Sequence, residues 1–200
     1  MQYSNYDVRL IIIQESLKKI KEIEIPESPI SGRVYRFDNL YNDPYLLIFI
    51  REALYSSREM IDMLISRIRR ETNNKTAKDF TKFIVPLANG DYNQYLQLSP
   101  TLQKISDPKI LRGLIQVREI RNKLKYKLND LSITRDTTNR YQMQTSIEIP
   151  SYSKKIKNFE KIFNIKDYET LDITQAVKIS LIMNIENYLN DLLSVFSSLK

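Results

Sequence analysis

The sequence contains no cysteine, no histidine and no tryptophan, and only three of its 200 residues are glycine. Without cysteine and histidine the chain lacks the usual groups for a zinc site, a Ser-His or Cys-His nucleophile, or a disulfide framework. Its glycines, Gly32, Gly90 and Gly113, stand far apart, which excludes the Gly-rich phosphate loops of nucleotide-binding enzymes. The remaining chemistry belongs to carboxylate, Lys, Arg, Tyr, Ser and Thr side chains, and we expect no cofactor and no metal.

Long hydrophobic runs are also missing. The stretch Tyr45 to Ile50 is among the longest apolar runs, far below the roughly 20 residues that a membrane span needs. Met1 to Arg9 is polar and does not have the basic segment and apolar run of a signal peptide. Together with the absence of cysteine, these features predict a cytoplasmic protein that does not enter the membrane. Its length predicts one domain spanning residues 1 to 200.

Helical spacing of apolar residues dominates the chain, and the fold class that it predicts is all-α, a multi-helix bundle with several long helices and shorter ones. The predicted helices run from Asp7 to Ile23, from Pro44 to about Arg70, from a cap at Thr76 to near Pro86, from Asp91 to Ile105 with a break near Ser99-Pro100, from Pro108 to Asp130, from Ser153 to Asn164 and from Asp172 to Phe196. Glu27 to Tyr41 and Ser132 to Ser151 are predicted loops, with Thr145 to Ile149 as an alternative short strand. Asn89-Gly90 marks a turn.

The excess positive charge is concentrated in one predicted helix. The chain has a net charge of +7 and a pI near 9.4, which favours a polyanionic partner. Between Pro108 and Asp130 there are seven basic residues against two acidic ones. On a helical wheel, Arg121 falls inside the apolar stripe that includes Val117 and Leu124. This arginine must therefore point toward the core or toward a partner.

A buried guanidinium cannot lose its charge, so Arg121 needs an acid, carbonyl groups or a bound anion. One interpretation is a buried ion pair with an acid on the preceding long helix, namely Glu52, Glu59 or Asp62. The other places Arg121 in a cleft or at a dimer interface, where it binds a phosphate through two parallel hydrogen bonds.

Neighbouring bases extend this site along the same helix. Arg118 and Lys125 flank Arg121 by one turn on each side, and with Arg112 they are the predicted nucleic-acid contacts. We also expect Gly113 to mark the close approach of another helix, either in this chain or in a dimer mate. Glu52, Glu59 and Asp62 share the preceding helix and could form a metal site. Surface ion pairs such as Arg58 with Asp62 at i, i+4 explain these carboxylates more simply.

The segment from Val117 to Tyr126, VREIRNKLKY, resembles the signature of the HEPN superfamily, whose members are helical-bundle proteins of bacterial toxin, phage-defence and RNA-processing systems. That signature is an arginine, a polar residue that is often asparagine, three further residues and a histidine. Arg121 and Asn122 match its first two positions, whereas Tyr126 occupies the position of the histidine.

The resemblance implies metal-independent RNA cleavage at a homodimer interface. In that scheme the arginine holds the scissile phosphate and the histidine transfers protons around the 2′-hydroxyl. The candidate catalytic residues are thus Arg121, Asn122 and Tyr126. Because a tyrosine with a pKa near 10 is a poor general base at neutral pH, the chain is predicted to be either a ribonuclease or a catalytically disabled relative.

Two functional hypotheses follow from the sequence. The first is a homodimeric HEPN-like protein that binds RNA through the basic helix, acting as a toxin or in phage defence, with an antitoxin protein as a further partner. The second is a non-catalytic helical adaptor or dimerisation module whose basic helix binds an acidic protein partner.

Overall fold

The structure is a computed structural model that describes residues 4–23, 36–37, 44–73, 79–95, 97, 99–126, 132–135, 141–163, 170–173 and 176–200. Its helices are α1 (Asn5–Glu22), α2 (Pro44–Thr72), α3 (Phe80–Ala88), α4 (Pro100–Ile105), α5 (Pro108–Tyr126), α6 (Phe159–Phe163) and α7 (Ile185–Ser198). Its strands are β1 (Arg36–Phe37), β2 (Ser132–Arg135), β3 (Tyr141–Glu148), β4 (Thr170–Ile173) and β5 (Ala176–Asn184). Short 3₁₀ helices form at Asn93–Tyr95 and Ser151–Lys155.

The helices form a bundle around α2, and the predicted multi-helix bundle is confirmed. Helices α1, α5 and α7 all pack against α2. The core between them is made of aliphatic side chains at helical spacing, with fully buried Phe83, Phe163 and Phe196 filling its larger spaces. Arg67 on α2 donates to the carbonyl oxygens of Leu199 and Lys200 and so joins α2 to the end of the chain after α7.

A five-stranded antiparallel sheet lies beside the bundle in the order β1-β2-β3-β5-β4, and the sequence analysis did not foresee it. Of the predicted loop from Ser132 to Ser151, much forms strands β2 and β3, so that the short strand expected at Thr145 to Ile149 is part of a longer one. The helix predicted from Asp172 to Phe196 is wrong over its first half, which forms part of β4 and all of β5. Only Ile185–Ser198 is helical.

The sequence of β5 contains the reason for this difference. Val177, Ile179, Leu181 and Met183 alternate with other residues, and a period of two is typical of a strand. The register aligns Leu181 with Thr145 and Met183 with Met143. Because Met143, Thr145 and Leu181 are all buried, one face of this strand pair joins the core.

Helix starts follow the capping rules in most places. Asp107 Oδ1 accepts hydrogen bonds from the backbone amides of Lys109 and Ile110, at 2.8 and 3.3 Å, and confirms the predicted start of α5. Ser99 caps α4 in the same way. The cap of α3 is Asp79, whose side chain accepts from the Lys82 amide, so the start predicted at Thr76 is wrong.

Some predicted boundaries lie outside the described residues. They include Thr76 itself and residues 127–130, where the predicted basic helix ends. The predicted loop from Glu27 to Tyr41 also lies outside them, except Arg36–Phe37, which pairs with β2. Near the end of the chain, the helix predicted from Ser153 to Asn164 is replaced by the 3₁₀ helix Ser151–Lys155 followed by α6. No helix within the described ranges is long and apolar enough to cross a membrane.

Gly113 does not mark a close approach of another helix among the described residues, where a Cβ atom built on it would meet no atom within 4 Å. The expectation is therefore wrong for a helix of this part of the chain, and the alternative of a dimer mate stays a prediction. Gly90 is different because its φ is +80° and a Cβ there would lie 3.1 Å from Asn93 Nδ2. The first glycine is thus replaceable and the second is required by its backbone conformation.

These two glycines give opposite expectations for alanine. Gly113→Ala should raise the free energy of unfolding by about 0.5–1 kcal/mol, because alanine restricts the unfolded chain and favours helix. Gly90→Ala should lower it by about 1 kcal/mol or more, since a left-handed conformation strains an L side chain. Urea denaturation followed by circular dichroism measures both. Destabilisation by Gly113→Ala would mean that something outside this chain packs on that position.

Candidate functional site: an arginine–aromatic seam

The packing of α5 against α2 brings four arginines into contact with three aromatic rings, in one group around Tyr55 and one around Phe80. We call this set the arginine–aromatic seam. It consists of Arg51, Tyr55 and Arg58 on α2, Phe80 on α3, Arg118 and Arg121 on α5, and Tyr152 in the 3₁₀ helix after β3. Positions 51, 55 and 58 recur at spacings of four and three residues and therefore share one face of α2.

Arg121 lies against Tyr55 at the centre of the seam. Its Cζ atom is 4.6 Å from the centroid of the Tyr55 ring, a distance at which a cation is attracted by the electrons of the ring. Nη1 donates a long hydrogen bond of 3.4 Å to Asn122 Oδ1. Nε is buried and has no hydrogen-bond partner among the described residues. The side chain is half-buried, so that Arg121 is neither free in solvent nor fully enclosed.

The Tyr55 ring also contacts a second guanidinium, that of Arg51. The Cζ atom of Arg51 is 5.3 Å from the centroid of the same ring. Within the described ranges, neither Arg51 nor Arg121 forms an ion pair with a carboxylate. Two fixed positive charges therefore share one neutral ring. The ion pair considered for Arg121 with Glu52, Glu59 or Asp62 is not formed. Glu59 pairs with Arg9, Asp62 pairs with Arg58, and Glu52 is exposed.

The half of the seam around Phe80 contains Arg58 and Arg118, and carboxylates neutralise both. We call it the neutralised half, and the half around Tyr55 the un-neutralised half. Arg58 Nη1 lies 2.5 Å from Asp62 Oδ1, which confirms the i, i+4 pair expected on α2. Arg118 pairs with Glu119. Both guanidiniums also lie over Phe80, with Cζ atoms 5.6 and 4.9 Å from its centroid. This half of the seam therefore fastens α2, α3 and α5 together with its charges balanced.

Tyr152 contacts both members of the Arg118–Glu119 ion pair. Its hydroxyl donates a hydrogen bond of 3.0 Å to Glu119 Oε1, and its ring lies 5.5 Å from Arg118 Cζ. Burial raises the pKa of Tyr152 above the ordinary value for a tyrosine, and the nearby Glu119 carboxylate raises it further. The hydroxyl consequently stays protonated and keeps donating to Glu119.

The structure brings only some of the predicted site residues together. Arg121 and Asn122 are adjacent, and Arg118 lies on the same side of α5 but is already paired. Lys125 is exposed one turn beyond Arg121. Arg112 is nine residues before Arg121, which is about 180° around a helix, so it lies on the opposite side and does not join the seam. Tyr126 ends α5, and its side chain lies outside the described residues.

Carboxylates are not gathered for a metal. In the part of the chain that the structure describes, no group of three or more acidic side chains is placed to hold a metal ion. Of the three acids considered on α2, two are in ion pairs and Glu52 is exposed. The seam can hold anions through its guanidiniums and planar groups through its rings.

Sequence analysis did not identify Arg51, Tyr55 and Phe80 as members of the site. A signal was present for the first two, because an arginine and a tyrosine four residues apart on the polar face of α2 are one helical turn apart. Their partner Arg121 is distant in sequence, and only the packing of α5 on α2 shows which aromatic ring it meets.

Tyr152→Phe should lower the free energy of unfolding by about 1–2 kcal/mol at neutral pH, because the half-buried Glu119 carboxylate loses a donor. A tyrosine whose pKa is raised by folding stabilises the protein below its unfolded pKa of about 10, and this contribution is lost as the pH rises further. The difference between wild type and Tyr152→Phe should therefore shrink above about pH 10. Urea denaturation across that pH range measures it.

Tyr95→Phe is the matched control for this experiment. The Tyr95 ring packs edge-on against Tyr92, and this contact does not need the hydroxyl. Tyr95→Phe should thus change stability by less than about 0.5 kcal/mol. A Tyr152→Phe effect that is equally small, or that does not vary with pH, would contradict the role given to the hydroxyl.

No family model, no curated protein and no solved structure matches this chain. The likeness of residues 117–126 to the HEPN signature thus stays a prediction. Function must be inferred from the chemistry of the seam.

Proposed function

We propose that this chain is a HEPN-like RNA-binding protein whose phosphate site lies on the un-neutralised half of the seam. Arg121 and Arg51 supply the positive charge, Tyr55 orients both guanidiniums, and Asn122 supplies an amide beside them. The observation that carries the proposal is that two guanidiniums share the Tyr55 ring and neither forms an ion pair with a carboxylate of the described residues.

Physical chemistry favours a phosphate as the missing partner. A guanidinium is planar, permanently charged and shaped to give two parallel hydrogen bonds to a phosphate. Contact with the Tyr55 ring restricts the movement of the Arg121 guanidinium, which reduces the entropy lost when it binds. Nε is closed to solvent, so an external phosphate would contact the Nη groups, of which Nη1 makes only the 3.4 Å hydrogen bond to Asn122.

RNA is the polyanion that we propose, because the resemblance of Arg121-Asn122 to the HEPN signature points to it. The same resemblance supports a homodimer with two such sites facing each other, and an activity of the toxin or phage-defence type. Tyr126 in the position of the histidine makes a catalytically disabled relative equally compatible with the site.

Arg121→Ala should weaken binding of a labelled single-stranded oligoribonucleotide about tenfold, the effect of losing one charge-assisted phosphate contact. The slope of log affinity against log salt should also become shallower by about 0.7, as expected when one phosphate contact on a single strand is lost. Fluorescence anisotropy over a salt series measures both quantities.

Arg70→Ala is the matched control, because it removes the same charge from an exposed position near the end of α2, away from the seam. It should change the affinity by less than about twofold. Equal effects of the two substitutions would mean that RNA binds through the net charge of the protein and not at Arg121. Absence of RNA binding by the wild-type protein at low salt would overturn the proposal and leave the adaptor hypothesis.

Catalysis has its own test. Purified wild-type protein is incubated with RNA and a chelator, and the products are separated on a denaturing gel. If the chain is an active ribonuclease, cleavage persists without metal and disappears in Arg121→Ala. If it is a disabled relative, the wild type is inert, and Tyr126→His restores a general acid and base with a pKa near 6.5 and with it cleavage. An inert Tyr126→His protein would remove the nuclease part of the proposal.

A further inference from the structure

A group of exposed lysines adjoins the 3₁₀ helix that contributes Tyr152 to the seam. Residues 151–163 contain four lysines and one acidic residue, Glu160. Tyr152 and Ile156 are buried in the core, whereas the lysines between them and directly after them are exposed. We call these three residues the lysine turn: Lys154, Lys155 and Lys157.

The Asn89 side chain fixes the backbone of the lysine turn. Its Nδ2 donates a hydrogen bond of 2.9 Å to the carbonyl oxygen of Lys155, and its Oδ1 accepts one of 2.7 Å from the amide of Lys157. Asn89 is also the residue at which α3 ends, so the turn is attached to a helix of the core. Because one side-chain amide holds two backbone groups, the turn is ordered before a ligand arrives, which reduces the entropy lost on binding.

The charges of the lysine turn are not neutralised by the described residues. None of its three lysines forms an ion pair there. Glu160 on α6 and Asp91, two residues after Asn89, are exposed acids, and neither pairs with the turn. Three like charges within four residues attract a polyanion. On its own such a group is ordinary solvated surface, and its place beside the seam gives it a further meaning.

Tyr152 connects the lysine turn to the seam. Its ring lies 5.5 Å from Arg118 Cζ, and Arg121 follows Arg118 by one turn of α5. Lys154 and Lys155 follow Tyr152 by two and three residues in the 3₁₀ helix. With rises of about 1.5 Å per residue in an α-helix and about 2.0 Å in a 3₁₀ helix, the turn and Arg121 are roughly 10–20 Å apart. At about 3.4 Å per phosphate of a stacked strand, this is the length of roughly three to six nucleotides.

We propose that the lysine turn is a second phosphate-contact site, which an RNA strand bound at Arg121 reaches by continuing past Tyr152. The inference rests on the proposed RNA binding and adds to it the path of the strand. Between the two sites lies the neutralised half of the seam, where the Arg118–Glu119 pair has no net charge and does not repel the strand. Two separate groups of cations on one strand act as linked binding sites, so affinity should increase once the RNA is long enough to reach both.

The test uses an RNA that can reach both sites and one that cannot. A 12-nucleotide strand spans them, whereas a trinucleotide has only two phosphodiester groups. The triple substitution of Lys154, Lys155 and Lys157 by alanine should weaken binding of the longer strand about tenfold or more at low salt. Its salt slope should become shallower by about 2, because three contacts contribute about 0.7 each. The affinity for the trinucleotide should stay within about twofold. Fluorescence anisotropy over a salt series measures these quantities.

The matched control removes three lysines from α1, which packs on α2 and α7. Triple substitution of these exposed residues by alanine changes the net charge by the same amount and should weaken binding of the 12-nucleotide strand by less than about threefold. The residues are Lys18, Lys19 and Lys21. Equal effects of the two triple substitutions would mean that the long strand responds only to net charge, and would contradict the inference.

Asn89→Ala tests the contribution of the ordered backbone. It keeps every lysine, so the salt slope for the 12-nucleotide strand should stay the same, while the affinity falls about two- to threefold because the turn loses its fixed conformation. Circular dichroism confirms that the variant is folded. An unchanged affinity would contradict the role given to Asn89.

The outcomes separate this inference from the proposed function. If the wild type binds neither RNA, both fail. If Arg121→Ala weakens binding of the 12-nucleotide strand and the lysine-turn substitution does not, the phosphate site at Arg121 stands and the continuation of the strand is wrong. If the lysine-turn substitution weakens binding of the trinucleotide and of the longer strand by the same factor, the turn is not a separate contact, and the continuation is again wrong.

Discussion

A guanidinium keeps its positive charge at every pH that a protein meets, so each arginine between α2 and α5 requires surroundings that tolerate a fixed cation. The seam provides them with aromatic rings. Tyr55 contacts two guanidiniums and Phe80 contacts two more. Arg51 is exposed, whereas Arg58, Arg118 and Arg121 are half-buried, and the rings let α2 and α5 pack around these three cations.

The seam contains two kinds of arginine, those paired with a carboxylate and those that form no such pair among the described residues. Arg58 and Arg118 have carboxylates of their own, and Tyr152 fixes one of these carboxylates with a hydrogen bond. Charges arranged in this way stabilise the fold and offer little to a ligand. Arg51 and Arg121 have no such carboxylate in the described part of the chain, and they adjoin the exposed end of α2. A ligand that brings negative charge would bind at that end.

Local signals predicted much of the bundle and little of the sheet. The start of α5 follows from Asp107 and Pro108 alone, and Arg121 was singled out because an arginine inside an apolar stripe is costly. Strand β5 shows the alternation of a strand, but its partner β3 lies 30 to 42 residues earlier, so the pairing that decides between strand and helix is outside any local window. Tyr55 was missed for the same reason, since its partnership with Arg121 exists only after the helices pack.

If the seam binds RNA as proposed, its construction suits holding a phosphate better than breaking a phosphodiester bond. Binding needs charges that are held in place, and the Tyr55 ring lies against the Arg121 guanidinium. Cleavage also needs a group that gains and loses a proton near neutral pH, and a chain without histidine has to obtain that group by shifting another side chain far from its ordinary pKa. In the described residues burial raises the pKa of Tyr6 and of Tyr152, away from neutrality. Burial of these tyrosines therefore acts against their use as a base at neutral pH.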